Sequence, residues 1–181
     1  MTAKRETVIL RRAVCVERIP DGGPVELEAG ALAQVSQALG TSFTLVVEGQ
    51  LLRLKGGDAD AIGRSVPEPM PVPADVAVED LRGLVWQTLK TCYDPEIPVD
   101  IVELGLIYVC DVIPVDDEQA RVSIKMTLTA PGCGMGEILA EEVADKVLAL
   151  PRVAEGNVDF VIEPPWNRSR MSETALLTLG L

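Results

Sequence analysis

The centre of the predicted fold is residues 120–162, ARVSIKMTLTAPGCGMGEILAEEVADKVLALPRVAEGNVDFVI. Residues 120–129 alternate apolar and polar side chains, which predicts a strand. Residues 137–150 predict an amphipathic helix that Pro151 ends, with an apolar side formed by Ile138, Leu139, Val143, Val147 and Leu148. Residues 158–162 predict another strand. A strand, a helix and a strand in this order predict a right-handed crossover between two parallel strands.

The residues just upstream extend this unit into a two-layer α/β domain. A helix that stops at Asp94-Pro95 is predicted, with Asp75 as its cap; its apolar face comprises Leu81, Leu84, Val85, Thr88, Leu89 and Cys92. A strand over residues 105–113 follows, and the acidic turn at residues 116–118 predicts an antiparallel hairpin with the strand at 120–129. Residues 77–181 are therefore predicted to have the order α-β-β-α-β, with the helices on one face of the sheet.

The first 63 residues are predicted to form a small antiparallel β-rich domain. ETVILRRAVCVERI (6–19) alternates, and TSFTLVVEGQLLRLKG (41–56) contains two strands around a turn at Glu48-Gly49. PDGGP (20–24) is a further turn, and residues 31–39 fit a short helix or a strand, of which the neighbouring strands favour the second. Cys15 is expected in the core of this domain.

A proline-rich segment separates the two predicted domains. Prolines at positions 67, 69, 71 and 73 favour an extended, semi-rigid linker over residues 64–76. The fold class is therefore predicted as α+β, with a β-rich domain at 1–63 and the two-layer domain at 77–181.

Composition excludes several classes of function. The chain of 181 residues has no histidine, which argues against Ser-His-Asp triads, Cys-His dyads and zinc sites with imidazole ligands. Its net charge is −12; residues 77–181 carry 8 basic and 18 acidic side chains, which would repel nucleic acid. The sequence shows neither a signal peptide nor an apolar run of membrane-spanning length. Its four cysteines form no CxxC pair, so we expect reduced thiols, a cytoplasmic location and no membrane partner.

The strongest candidate for chemistry is Cys133 in TLTAPGCGMGE (127–137). A helix N-terminus favours the thiolate, and flanking glycines allow a metal or partner to approach the backbone. The alternative is that Gly132 and Gly134 only shape a tight turn and that Cys133 is a small buried hydrophobe.

Two further stretches are candidate binding segments. DPEIPVDIVELGLI (94–107) holds acidic residues beside two prolines, which fits either a metal or partner site or an ordinary solvated loop. EPPWNRSRMSE (163–173) presents Trp166, Arg168 and Arg170. These residues either anchor a partner, or Trp166 folds over the core and the two arginines only neutralise nearby carboxylates. Because both this segment and Cys133 follow parallel strands, we expect them at one edge of the sheet.

Together these three stretches resemble the metal-sulfur cluster biosynthesis family, which includes PaaD-like proteins and the eukaryotic cytosolic iron–sulfur targeting factors. The resemblance covers residues 77–181, and the β-rich first half resembles the extension that one member of the family carries. The family's cysteine falls on Cys133, its Asp-Pro-Glu motif on Asp94, Pro95 and Glu96, and its Pro-Pro-Trp motif on Pro164, Pro165 and Trp166. Gly134 stands where many relatives have proline.

The resemblance implies a non-enzymatic factor for the assembly or maturation of iron–sulfur proteins. Iron–sulfur clusters favour four thiolate ligands, so a single loop cysteine predicts no tightly bound cluster. We expect a transient cluster that bridges Cys133 of two chains, as in a homo-oligomer, or is shared with a client. The expected partners are assembly proteins and apo-client proteins. A thiol redox enzyme using Cys133 and an adaptor that never touches metal remain as alternatives.

Overall fold

The computed structural model describes residues 6–68, 70–73, 75–94, 97–130 and 135–181. They divide into two compact units, the first built from residues 6–68 and the second from most of those after 70. The described residues from Arg64 to Ala77 contain neither helix nor strand. No helix among all the residues that the structure describes combines the length and the hydrophobicity needed to cross a bilayer.

The first unit is a six-stranded antiparallel sheet. Its strands are β1 (Glu6–Ile9), β2 (Val14–Ile19), β3 (Pro24–Leu27), β4 (Leu32–Leu39), β5 (Ser42–Val47) and β6 (Gln50–Lys55), in the spatial order β1-β4-β5-β6-β2-β3. The predicted turn is confirmed, since Val47 pairs with Gln50 and both Glu48 and Gly49 have positive φ. Residues 32–39 form a strand, as favoured over the helix. A 3-10 helix, Gly56–Ile62, follows β6.

Cys15 corrects one expectation for this unit, because it is exposed rather than part of the core. Its neighbours Val14 and Val16 are 5% and 1% exposed. Successive side chains of a strand point to opposite faces, so burial of both valines turns the thiol outward.

The second unit combines a three-stranded sheet with three α-helices. Its elements are α1 (Leu81–Leu89), β7 (Ile107–Pro114), β8 (Ala120–Met126), α2 (Met135–Leu148), β9 (Val153–Phe160) and α3 (Glu173–Leu179). The sheet order is β7-β8-β9, with β7 antiparallel and β9 parallel to β8. The predicted hairpin and the predicted parallel pair are confirmed, and the chain as a whole has mixed α+β content. The sequence reasoning missed α3.

Several predicted boundaries in the second unit are wrong. The N-cap of α1 is Asp80, not Asp75, and the helix ends at Leu89, before Cys92. Strand β9 starts five residues earlier than its predicted first residue, Val158.

The predicted apolar side of α2 is also wrong at one position. Leu148, predicted on that side, is 46% exposed, whereas Val147 is 1% exposed. Adjacent helix positions differ by about 100° around the axis, so only one of the two can face the core.

Candidate functional site

Three connections meet at one edge of the three-stranded sheet, which we call the site edge: residues 100–106, 127–130 and 161–172. Strands β8 and β9 end in register, with Met126 beside Phe160, and β7 begins opposite Met126 at Ile107. The backbone N–H of Thr127 donates to the Leu106 carbonyl at 2.9 Å. The N–H of Val161 donates to the Met126 carbonyl, also at 2.9 Å. These bonds hold the three connections together where the parallel strands end.

Within the acidic stretch, residues 97–106 form a folded turn with buried apolar side chains rather than a solvated loop. Its apolar side chains Ile101, Leu104 and Leu106 are all 0% exposed, and Asp94 is 8% exposed. The Asp100 carboxylate accepts hydrogen bonds from the backbone N–H groups of Val102 and Glu103, at 3.0 and 2.9 Å. This pattern caps the turn locally, as Asx side chains do.

The carboxylates of Asp100 and Glu103 in this turn form hydrogen bonds and an ion pair with other residues of the second unit. Burial raises the pKa of Asp100. A hydrogen bond from Ser172, followed by the ion pair with Lys90 at 3.1 Å, lowers the pKa of Glu103. Among the residues that the structure describes, no three His, Cys, Asp or Glu side chains are grouped so as to hold a metal ion.

Residues 163–172, which we call the tryptophan segment, are hydrogen-bonded to residues 100–106, which we call the acidic turn from here on. The indole N–H of half-buried Trp166 donates to the Leu104 carbonyl at 2.8 Å. The Ser172 N–H donates to the Glu103 carbonyl at 2.9 Å. These two bonds place segments 163–172 and 100–106 side by side. The contact fits a site-shaping role for Trp166, since its polar atom bonds within the unit.

Tyr108 ties down the same segment from the start of β7. Its hydroxyl donates to the Pro164 carbonyl at 2.7 Å, and the Arg170 guanidinium lies 3.9 Å from the centre of its ring. The geometry is that of a cation–π contact. Arg168 and Arg170 are both exposed. Sequence reasoning missed Tyr108, because an aromatic residue in a strand carries no signal of a partner 56 positions away.

Gly105 is a second residue that the sequence did not single out. Its φ is +70°, and a Cβ built on it would overlap the Arg170 carbonyl oxygen and lie 2.8 Å from the carbonyl carbon. Only glycine fits both the left-handed backbone and this close approach. The tryptophan segment can therefore pack against the turn only because position 105 has no side chain.

The three described cysteines differ in accessibility, because Cys15 is exposed whereas Cys92 and Cys110 are buried. Cys92 and Cys110 are 0% and 4% exposed. Burial raises the pKa of Cys92 to about 12 and also raises that of Cys110, so both are protonated at neutral pH. The predicted site residues Cys133, Gly132, Gly134, Pro95 and Glu96 lie outside the described residues.

Comparison with known proteins finds one family and several relatives. Residues 84–160 match the profile of the family described as iron-sulfur cluster assembly protein. The chain is 45% identical over 96 residues to an Fe-S protein maturation auxiliary factor of Porphyromonas gingivalis, covering 53% of this chain and 88% of the relative. It is 40% identical to the auxiliary factor YitW of Bacillus subtilis, covering 57% and 97%.

A third relative, the Fe-S protein maturation auxiliary factor SufT of Staphylococcus aureus, is 36% identical over 49% of this chain and 96% of its own length. Each of these three relatives aligns with about half of this chain, and the family profile matches residues 84–160. The resemblance of the β-rich first half to a family extension therefore stays a prediction.

Proposed function

Because the chain belongs to the iron–sulfur cluster assembly protein family, we propose that it matures client proteins by passing iron–sulfur clusters to them through the Cys133 loop. In this proposal the cluster is cargo, and the protein itself catalyses no reaction. Its partners are assembly proteins that supply the cluster and apo-proteins that receive it. The free thiols of Cys15, Cys92 and Cys110 support a reducing compartment such as the cytoplasm.

The observation that carries the proposal is the convergence of chain segments at the site edge. Two of the three motif stretches are joined there by the Trp166–Leu104 hydrogen bond. The third leaves β8 at the same edge through residues 127–130. Cys133 is three residues beyond Ala130, so covalent geometry limits the separation of their Cα atoms to about 11 Å. This limit supports a role for the thiol beside the acidic turn and the tryptophan segment.

Thiol chemistry supports transfer rather than storage. A thiolate, not a thiol, ligates iron. Cys92 and Cys110 are buried with raised pKa values, so they offer no thiolate at neutral pH. Cys15 lies on β2 in the first unit. Only Cys133 then remains at the proposed site, and a cluster with four ligand positions must share thiolates with a second copy of the chain or with a client. Such a cluster is labile and leaves readily.

The remaining site residues are assigned supporting roles. Trp166 shapes the edge through its bond to Leu104. The exposed guanidinium groups of Arg168 and Arg170 offer cationic contacts to a partner in a chain with a net charge of −12. Asp94, Pro95 and Glu96, with Gly132 and Gly134, are proposed to shape the surroundings of the thiol.

Anaerobic reconstitution with iron and sulfide tests the proposal. The wild type, Cys133→Ala and Cys15→Ala are compared by visible absorption and by analysis of iron and sulfide per chain. Cys15→Ala is the matched control, because it removes an exposed thiol from the other unit. We expect the wild type and Cys15→Ala to acquire the same absorption, at no more than one cluster for two chains in the absence of a client, and Cys133→Ala to acquire none.

The alternative functions give different results in the same preparations. Equal absorption in the wild type and Cys133→Ala would refute cluster handling through Cys133 and favour a metal-free adaptor. Peroxide consumption that depends on Cys133 and exceeds that of a free thiol would instead favour a thiol redox enzyme.

A further inference from the structure

The outer edge of β9 carries a strip of apolar side chains that the described chain leaves uncovered. Gly156, Val158 and Phe160 are in register with Val122, Ile124 and Met126 of β8. Residues opposite each other in neighbouring strands share a face of the sheet, and all three β8 residues are 0% exposed. The β9 residues therefore point toward the core side of the sheet. Nevertheless, Phe160 is 40% exposed.

The strip continues at both ends of β9. Ile162, two residues beyond Phe160 and in the same alternation, is 74% exposed. At the other end Leu148 of α2 is 46% exposed, and a Cβ on Gly156 would lie 3.3 Å from its Cγ. We call this strip, Leu148, Gly156, Val158, Phe160 and Ile162, the β9 edge surface. It extends the hydrophobic core to the margin of the sheet.

The backbone of β9 also offers hydrogen-bonding groups on this side. In the described part of the chain, β9 is an edge strand that pairs only with β8. The Val161 N–H points to β8, where it donates to Met126. Backbone groups alternate in direction along a strand, so the N–H groups of Val158 and Phe160 point away from β8. An extended peptide can use such groups to add a strand to the sheet.

Acidic residues flank the surface along α2. Glu137, Glu141 and Asp145 are exposed at four-residue spacing, which places them in one stripe that leads to Leu148. Because α2 connects the end of β8 to the start of parallel β9, it runs back along the sheet beside the β9 edge surface. A second copy of this chain would bring the same negative charge, whereas a basic segment would be attracted.

We propose that the β9 edge surface binds an extended segment of a partner protein in which apolar residues alternate with lysine or arginine. The segment pairs with the outward N–H and carbonyl groups of β9, and its apolar side chains cover Phe160 and Ile162. Because successive side chains of a strand point to opposite faces, its basic side chains lie on the other face of the sheet, near the exposed carboxylate of Asp159 on β9. This partner surface goes beyond the cluster-transfer proposal, and the test below involves no iron, so the two can fail separately.

The probe is a fluorescein-labelled nine-residue peptide of alternating valine and lysine, titrated against the full chain and followed by fluorescence anisotropy. Alternating valine and glutamate, and the valine–lysine peptide with a central proline, are the control peptides. We expect the first peptide to bind at least tenfold more tightly than either control. Binding should also slow amide hydrogen exchange at Val158 and Phe160, while Val161 is unchanged because its N–H is already bonded to Met126.

Two pairs of variants test the surface itself. Ile162→Asn should weaken binding about tenfold, whereas Leu177→Asn, at a site that is 73% exposed on α3, should change it less than twofold. Replacing Asp159 with lysine should weaken binding more than the same replacement of Asp117, which lies in the β7–β8 turn.

Three results would overturn the proposal. Equal binding of all three peptides, or no added protection at Val158 and Phe160, would show that the edge does not accept a strand. Equal effects within each pair of variants would place binding elsewhere. Concentration-dependent dimerisation of the wild type that Ile162→Asn abolishes would show that a second copy occupies the surface.

Discussion

Replacing Gly105 with alanine should break the contact that holds the tryptophan segment on the acidic turn. An alanine at positive φ costs about 1–2 kcal/mol. The added Cβ would also overlap the Arg170 carbonyl, so segment 163–172 has to move away. This movement removes the bonds from Trp166 to Leu104 and from Ser172 to Glu103. At about 1 kcal/mol for each bond, the free energy of unfolding should fall by about 3–4 kcal/mol in total.

Gly180→Ala is the matched control for this change. Gly180 has φ +72° in the same unit, but a Cβ there meets nothing within 4 Å. It should therefore show only the backbone cost of about 1–2 kcal/mol. Urea unfolding followed by tryptophan emission measures both variants in a Trp86→Phe background, where Trp166 is the only tryptophan of the chain. Equal losses for the two alanines, with unchanged native emission from Trp166, would refute the proposed packing.

Three further predictions concern the same unit and the thiols. Tyr108→Phe should lower the free energy of unfolding by about 1 kcal/mol, since it removes the donor to the Pro164 carbonyl; urea unfolding that matches the wild type would contradict this. A maleimide at pH 8 should label Cys15 in the native protein but the two buried thiols only after unfolding, and mass spectrometry of labelled peptides checks this. Glu103 has a folded pKa below 4.5, so its contribution to stability is present above pH 4.5 and is lost as the pH falls through its folded pKa. Glu103→Gln should therefore flatten the pH dependence of urea unfolding in that acidic range, and an unchanged profile would count against the assignment.

The sequence correctly predicted the parts of the fold that are determined by local patterns of residues. The turn at Glu48 and Gly49, both of which have positive φ, follows from a turn-forming pair between two apolar runs. The parallel pairing of β8 with β9 follows from the strand–helix–strand order. In each case the deciding residues lie within one short window of sequence.

The errors arise where the structure is determined by tertiary contacts, or by which residues of an alternating run face inward. Residues 14–16 are all apolar, so alternation alone did not reveal that Cys15 faces outward. The first half of β9, VAEG, lacks clear alternation because an edge strand is covered on fewer sides.

The structure of the site depended on contacts that no local pattern encodes. Trp166 bonds to a carbonyl 62 positions away. Gly105 is required by the approach of Arg170, which lies far along the chain. The sequence located the motif segments, but it did not show that two of them pack against each other.

Transfer of a cluster to an apo-ferredoxin, followed by circular dichroism of the refolded acceptor, tests whether Cys133 handles the cargo. Iron, sulfide and reductant are supplied identically to the wild type, Cys133→Ala and Cys15→Ala. Our account predicts that the wild type and Cys15→Ala accelerate acquisition of the cluster equally, and that Cys133→Ala leaves the rate at that of the protein-free reaction. Acceleration by Cys133→Ala equal to that of the wild type would contradict it.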